Sequence, residues 1–154
     1  MQICAKNKMR FLLITILSSL LISTITWETD FEKAKLLAQS QHKFILLNFS
    51  GSDWCGPCIR LHKEIFENDA FTQYAGENLI LVNADFPRLK KNQLSKEQQN
   101  RNDQLADQYN GKGVFPLTLL LSSSGKVLKT WDGFPNSSPD EFTNQVKALV
   151  DANK

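Results

Sequence analysis

Two cysteines separated by two residues, Cys55 and Cys58, have the types and spacing that carry the clearest chemistry in this sequence. They lie between a short apolar run and a helical pattern, so we expect them on the loop that opens a helix. The free N–H groups and dipole of a helix start stabilise an anion, which predicts an exposed and readily ionised Cys55 nucleophile. One helical turn on, Cys58 can displace a partner held on Cys55. The pair therefore predicts exchange with disulfides in other proteins.

Two other interpretations of the cysteine pair stay open at this stage. A bridge that closes so short a loop constrains the unfolded chain little, which weighs against a purely structural disulfide. Zinc binding is conceivable because Cys55, Cys58 and His62 have ligand spacing on a helix, but a structural zinc site needs a fourth ligand and none presents itself. We therefore expect no metal and no other cofactor.

The first 26 residues differ in composition from the rest of the 154-residue chain. Three basic residues precede an uncharged run from Phe11 to Thr26, and no acidic residue appears before Glu28. This pattern is typical of an export signal. Its apolar part is shorter than the roughly 20 residues of a membrane-spanning helix, which favours a cleaved signal peptide, with a retained N-terminal anchor as the alternative. We expect residues 27–154 to form one domain in the periplasm or at the outer face of the cytoplasmic membrane.

The charge of this domain excludes one class of partner. Without the three basic residues of the first segment, 15 Lys and Arg face 16 Asp and Glu, a net charge of −1. Proteins that bind nucleic acid show a basic stripe, and none is present. We expect no nucleic-acid partner and a monomeric domain.

The elements that must position the cysteines follow from hydrophobic periodicity and from capping signals. Two nearly continuous apolar runs flank the cysteine helix, so we expect two buried parallel strands joined by a right-handed crossover. A Ser-Ser-Gly turn after Pro116 predicts an antiparallel hairpin. The predicted elements are a helix at about 30–41, a strand at 44–49, a helix from about 59 to 74 with a bend before 69, a strand at 79–84, a helix in the second half of 86–110, strands at 117–121 and 127–131, and a helix from 138.

This order predicts an α/β domain with a mixed sheet of four or five strands, helices on both faces and an N-terminal helix. We expect residues 87–99, between the second strand and the following helix, to form an exposed excursion. The Thr29–Glu32 and Ser138–Glu141 segments both have the spacing of a capping box at a helix start.

Two motifs at the expected positions resemble the thioredoxin family. One is Trp54-Cys55-Gly56-Pro57-Cys58, the active-site motif of that family; the other is the loop at 113–118, similar to the family's cis-proline loop. The resemblance covers roughly residues 44–152, and the excursion is similar to that of exported bacterial thioredoxin-like proteins. The resemblance to the family implies a thioredoxin-like fold and a redox-active Cys55/Cys58 pair.

The resemblance also implies how substrate binds and which way electrons flow. Pro116 would be cis, Phe115 would offer backbone groups to an extended substrate segment, and Trp54 would pack against the active-site surface. The residues implied to contact substrate are Trp54, Gly56, Pro57, Phe115 and Pro116. Gly-Pro between the cysteines belongs to the reducing end of the family, which implies a disulfide reductase.

Two positions depart from the family pattern. Asn48 stands where thioredoxins bury an Asp that receives a proton during resolution, and Leu81 stands where they have its Lys partner. An amide cannot act as that base. We therefore expect proton transfer at Cys58 to use water or another group, with Asp53 and Glu64 as the candidates.

The sequence thus predicts a reductase of protein disulfides in the bacterial envelope. Its partners would be disulfide-containing or dithiol proteins, together with a membrane electron donor that keeps the thiols reduced in an oxidising compartment. An oxidase or isomerase that works in the other direction is the alternative enzyme, and a non-enzymatic domain that only holds partners is the alternative from another class.

Overall fold

The computed structural model describes residues 25–154. Most of the predicted export segment, residues 1–24, lies outside this range. Within the described residues no helix is both long and apolar enough to cross a bilayer. The strands are β1 (Trp27–Glu28), β2 (Phe44–Ser50), β3 (Leu79–Asp85), β4 (Leu117–Leu121) and β5 (Val127–Asp132), and the helices are α1 (Phe31–Ser40), α2 (Gly56–Leu61), α3 (Asp69–Asn78), α4 (Lys96–Tyr109) and α5 (Pro139–Asp151).

The five strands form one mixed sheet in the order β1-β3-β2-β4-β5. Strand β2 lies at its centre, parallel to β3 and antiparallel to β4. Strands β4 and β5 form the predicted antiparallel hairpin. The fifth strand is β1, a two-residue strand that pairs in parallel with β3. The predicted fold class is confirmed, and β1 settles the strand number at five for the described residues.

Apolar layers cover both faces of the sheet, which is why β2 and β3 read as continuous apolar runs. Alternate residues of β2 point to opposite sides, so Ile45 and Leu47 pack on one face and Leu46 on the other. Helices α1 and α4 cover the first face, and α2, α3 and α5 cover the second. Because both layers are packed against β2, its carboxyl end is a rigid platform for the loop that follows.

Of the two predicted capping boxes, the structure contains the one at α5 but not the one at α1. At α5, Ser138 and Glu141 form the reciprocal capping box, so that prediction is confirmed. At α1 the capping-box prediction on Thr29 is wrong, because the Asp30 carboxylate accepts the Lys33 N–H at 3.0 Å. Asp30, one residue closer to the helix, is the N-cap, so the free N–H that is satisfied is that of Lys33 and not that of Glu32.

The excursion is shorter than predicted because α4 starts at Lys96. Ser95 caps α4 by accepting the Gln98 N–H at 3.2 Å. Before it, only a single 3₁₀ turn at Lys90–Asn92 interrupts the irregular segment. We define the excursion from here on as residues 86–95.

The helix predicted after the cysteines is divided into parts. Helix α2 continues into a π-helical turn at His62–Phe66, and α3 begins after a break at Asn68. The Asn68 side chain accepts the Ala70 N–H at 3.0 Å and caps α3 anew. His62, which begins the π turn, and Glu67, which follows it, line the same cavity as Cys58.

Candidate functional site

Cys55 and Cys58 lie where the predicted loop leaves the carboxyl end of β2. Cys55 is the N-cap residue of α2, and its Sγ accepts a hydrogen bond from the Cys58 N–H at 3.3 Å. The two cysteines are joined by a disulfide bond. An N-cap sulfur that accepts a backbone N–H is in a position that favours its thiolate form once the bond is reduced.

Neither sulfur is freely exposed in this oxidised form. Cys55 is 5% exposed and Cys58 is 3% exposed, so the expectation of an exposed Cys55 is wrong for the disulfide state. The bond draws the Cys55 sulfur against Cys58 and the first turn of α2, where solvent has little access. Gly56 and Pro57, which lie between them, are exposed and form the outer surface of the site.

The structure brings both sequence motifs together around an aromatic cluster. The rings of Trp54 and Phe115 meet edge to face, with centroids 5.5 Å apart. The Phe115–Pro116 peptide bond is cis, and Pro116 is buried directly before β4. Phe86 makes a second edge contact with Phe115, at 5.5 Å. Trp54, Phe86 and Phe115 therefore share one surface beside the disulfide, and we call them the aromatic cluster.

Three residues fix the position of Trp54, and sequence reasoning missed these contacts. The Trp54 Nε1–H donates to the Phe86 carbonyl oxygen at 2.7 Å, and the Arg88 guanidinium lies 3.6 Å from the centre of the indole ring. Gly51 is packed so closely against the indole that a Cβ there would lie 2.5 Å from Nε1. The indole is therefore held by Gly51 of the active-site loop and by two groups of the excursion, one of them a cation.

Asp53 anchors the excursion to the active-site loop. Its carboxylate accepts hydrogen bonds from the Arg88 N–H at 2.9 Å, the Leu89 N–H at 3.0 Å and the Asn92 side chain at 2.9 Å. The Arg88 hydrogen bond is the main cause that lowers the pKa of Asp53 below its ordinary value; Asn92 and Leu89 add to it and partial desolvation opposes it. A carboxylate held as an anion by three donors is a poor proton acceptor, so the structure does not support Asp53 as the base for Cys58.

Glu64 is also engaged away from the cysteines. It forms an exposed ion pair with Arg60, with 3.1 Å between Oε1 and Nε, and that hydrogen bond is the main cause that lowers the pKa of Glu64. Arg60 in turn lies over the Phe134 ring at 4.5 Å. Because its carboxylate is paired with Arg60 on the exposed surface, the expectation that Glu64 serves as the base for Cys58 is not supported.

A polar group of side chains lies beneath the cysteines, centred on Asn48. This residue is 4% exposed; its amide donates to Asn83 at 3.3 Å and its carbonyl oxygen accepts the Thr118 hydroxyl at 3.1 Å. Asn83 is in register with Asn48, whereas Leu81 is in register with Leu46. The side chain that faces Asn48 from β3 is therefore Asn83 and not Leu81. These amides are hydrogen-bonded to each other, which explains how polar groups are tolerated at this depth.

A solvent-open cavity of about 380 Å³ lies beside Cys58. Besides Cys58 it is lined by Asn48, Ser50, Ser52, Ile59, His62, Lys63, Glu67 and Asn83. Across residues 25–154 no group of three or more His, Cys, Asp and Glu side chains is arranged to hold a metal ion. The cavity gives water access to a sulfur that is otherwise enclosed, and we call it the Cys58 cavity.

Comparison with known proteins agrees with this geometry. A family model described as thioredoxin-like matches residues 26–122. The chain belongs to the thioredoxin-like family. It is 33% identical over 128 residues to the disulfide bond reductase DsbH of Chlamydia pneumoniae, an alignment that covers 83% of this chain and 74% of that protein.

Two further comparisons concern proteins of the same Dsb group. A solved structure of a DsbH oxidoreductase superposes with a TM-score of 0.74 at 30% identity, over 96% of this chain and 95% of the other. The thioredoxin-related protein DsbJ of Chlamydia pneumoniae is 25% identical over 130 residues, which are 84% of this chain but 36% of that protein. The structural likeness to this DsbH oxidoreductase thus extends over nearly the full length of both chains.

Because Asp53 anchors the excursion, we expect the stability of the excursion to depend on pH. Because its pKa is lowered in the folded chain, the bonds of Asp53 stabilise the excursion above the ordinary Asp pKa of about 3.9, and this stabilisation is lost as pH falls through the folded value. We expect Asp53→Asn to raise amide hydrogen exchange at Arg88 and Leu89 roughly tenfold at pH 7. Unchanged protection of both amides would contradict the anchor, and Asp107→Asn, an exposed site on α4, is the matched control.

Proposed function

We propose that this thioredoxin-like protein is a thiol–disulfide oxidoreductase that reduces protein disulfides through Cys55 and Cys58. The observation that carries the proposal is the Cys55–Cys58 disulfide at the first turn of α2, in a chain that aligns over most of its length with a protein named a disulfide bond reductase. A disulfide across two residues contributes little to stability, so its use lies in being opened and closed.

The reaction needs two exchanges of sulfur partners. In the reduced protein the Cys55 thiolate attacks a partner disulfide, a mixed disulfide forms, and one partner sulfur leaves with its electron pair. Cys58 then attacks Cys55, closes the Cys55–Cys58 bond and releases the second partner sulfur as a thiol. Two electrons pass from this chain to the partner, and the product is the oxidised form that the structure describes.

The surface around the disulfide suits an extended polypeptide. We propose that Gly56 and Pro57, which are exposed, and Trp54 and Phe115 of the aromatic cluster contact the partner chain on either side of its cysteine. Pro116 adjoins them, and we propose that the backbone around it orients the partner segment. Aromatic rings supply large contact area at low entropic cost.

We also propose where the protein works and what recycles it. Residues 1–26 would act as an export signal or an N-terminal anchor, and residues 27–154 would work as a monomeric domain in the periplasm or at the outer face of the cytoplasmic membrane. An oxidising compartment does not regenerate thiols, so a membrane electron donor would reduce Cys55 and Cys58 after each turnover. The partners would be proteins with accessible disulfides.

The potential of the Cys55–Cys58 couple tests the direction of this reaction. We expect equilibration with dithiothreitol or glutathione buffers to give a value near the reducing end of the family, about −270 mV, and the reduced protein to open insulin disulfides. A value near about −120 mV would contradict the reductase and support an oxidase. A double Cys55→Ala, Cys58→Ala variant is the control, because any insulin reduction that it shows comes from other thiols in the assay.

A further inference from the structure

The second half of the proposed reaction poses a proton problem at Cys58. The thiolate and not the thiol is the nucleophile, and free cysteine thiols titrate near pH 8.5, so at neutral pH Cys58 must hand its proton to a base before it attacks Cys55. Cys58 is 3% exposed, and bulk water reaches it through the Cys58 cavity. The base should therefore be found along that cavity.

Most groups near the cavity cannot take this proton. The amides of Asn48 and Asn83, on its inner wall, have no basic site in the relevant pH range. Asp85 lies behind them but is not part of the lining, and its carboxylate accepts the Ser50 hydroxyl at 3.1 Å and the Ser52 N–H at 2.8 Å. Its oxygens are thus already occupied by donors from Ser50 and Ser52.

His62 is the one imidazole in the lining of this cavity. It follows Cys58 by four residues, and its backbone N–H donates to the Cys58 carbonyl oxygen, so the two side chains lie on the same side of the helix one turn apart. Both line the Cys58 cavity. Histidine is the side chain that ordinarily exchanges a proton between pH 5 and 8, which is the range that the reaction requires.

The surroundings of His62 combine charged and uncharged groups. Its Nε2 lies 3.4 Å from the Glu67 carboxylate, and Lys63 lines the same cavity. From β1 the Trp27 ring approaches at 5.9 Å between centroids, and Phe66 lies at 6.4 Å, both uncharged. The imidazole is half exposed, at 52%, so it exchanges protons with bulk solvent after each turnover.

We propose that His62 accepts the Cys58 proton through the solvent of the Cys58 cavity and thereby promotes resolution of the mixed disulfide. The cavity volume of about 380 Å³ far exceeds the about 30 Å³ that one water occupies in the liquid. One or two water molecules therefore have room to bridge the Cys58 sulfur and the imidazole. This inference rests on the proposed function, and it concerns only the second exchange.

Resolution transfers one proton and exchanges one sulfur–sulfur bond for another. The Cys58 Sγ–H bond breaks, its proton passes to the imidazole and its electron pair forms the Cys55–Cys58 bond. The bond between Cys55 and the partner sulfur breaks, and its electron pair leaves on that sulfur. The partner thiolate then takes a proton from the imidazolium, directly or by way of solvent, which returns His62 to its neutral form.

A two-step chromogenic reagent separates the two exchanges. When the reduced protein reacts with 5,5′-dithiobis(2-nitrobenzoate), attack by Cys55 releases one thionitrobenzoate and resolution by Cys58 releases the second. In stopped flow at pH 7 we expect His62→Gln to slow the second phase at least about tenfold and to leave the first within about twofold. Across pH 5–9 the second phase should lose the component that follows histidine titration.

Two more variants make the test decisive. His62→Ala should be slow as well and should recover with added imidazole, which a structural role of His62 would not produce. His42→Asn removes the other histidine of the chain, which lies at a left-handed backbone position before β2, and should leave both phases unchanged.

Opposite results would overturn the inference in distinguishable ways. A second phase that is the same in His62→Gln and the parent at every pH would exclude His62 as the acceptor. Loss of the pH component in Asp85→Asn but not in His62→Gln would assign the role to Asp85. If the parent protein lacked the first phase altogether, the proposed function would fail, and the inference that rests on it would fail too.

Discussion

Replacing Cys58 with serine is expected to convert the protein into a covalent trap for its partners. Cys55 would still attack a partner disulfide, but the resolving sulfur one helical turn away would be missing. An intramolecular thiol acts at an effective concentration that external thiols cannot match, so the mixed disulfide should persist at least about 10³-fold longer. Non-reducing electrophoresis of cells that express the variant should show adducts that disappear with reductant.

The matched control for the trap is the double Cys55→Ser, Cys58→Ser variant. It keeps the fold and the aromatic cluster but offers no nucleophile, so no adducts should form. If Cys58→Ser also forms none while the parent binds the same partners without a covalent bond, the chain is a holding domain and not an exchanger. Identification of the trapped proteins would at the same time name the substrates.

A second large effect is expected at Gly51, at the start of the active-site loop. A methyl group there would lie 2.5 Å from Nε1 and 2.6 Å from Cζ2 of Trp54, so Gly51→Ala forces the indole out of its place. Overpacking of this kind costs about 1–3 kcal/mol, and the displaced indole would also lose its 2.7 Å hydrogen bond to Phe86. We expect lower stability in urea, and slower disulfide exchange because the aromatic cluster is disturbed.

The indole N–H resonance of Trp54 is the specific readout for Gly51→Ala. It should shift, whereas that of Trp131, which donates to Gln145 at 3.2 Å, should not. Gly111→Ala is the matched control, since an added Cβ there meets nothing within 4 Å. An unmoved Trp54 resonance and unchanged stability in Gly51→Ala would show that the loop relaxes to admit the methyl group.

Sequence reasoning predicted the elements whose signals are local and strong. The apolar runs of β2 and β3, the hairpin of β4 and β5 and the cap at Ser138 each depend on a few neighbouring residues. The start of α4 at Lys96 was missed because its first turns are Lys- and Gln-rich and show no apolar stripe. A weak periodic signal leaves the boundary to be decided by tertiary contacts.

In the candidate site, too, short stretches of sequence predict some features, whereas other features depend on residues far apart in the chain. The cysteine pair could be found from its spacing and the two motifs from their resemblance to the thioredoxin family, but Asp53 binds backbone N–H groups 35 and 36 residues away. Register decides that Asn83 and not Leu81 faces Asn48, and a shift of two residues on a strand gives no sequence signal. The confinement of Trp54 by Gly51 likewise depends on a three-dimensional approach.

The three bonds of Asp53 have a consequence for how such domains diversify. The excursion is not a self-contained insert, because the Asp53 carboxylate that holds its backbone belongs to the active-site loop. In return, the Phe86 carbonyl and the Arg88 guanidinium of the excursion hold Trp54. A graft of residues 86–95 onto another scaffold would transfer its shape only if Asp53 and Trp54 travelled with it. Residues 86–95 and the pair Asp53 and Trp54 therefore depend on each other for their positions.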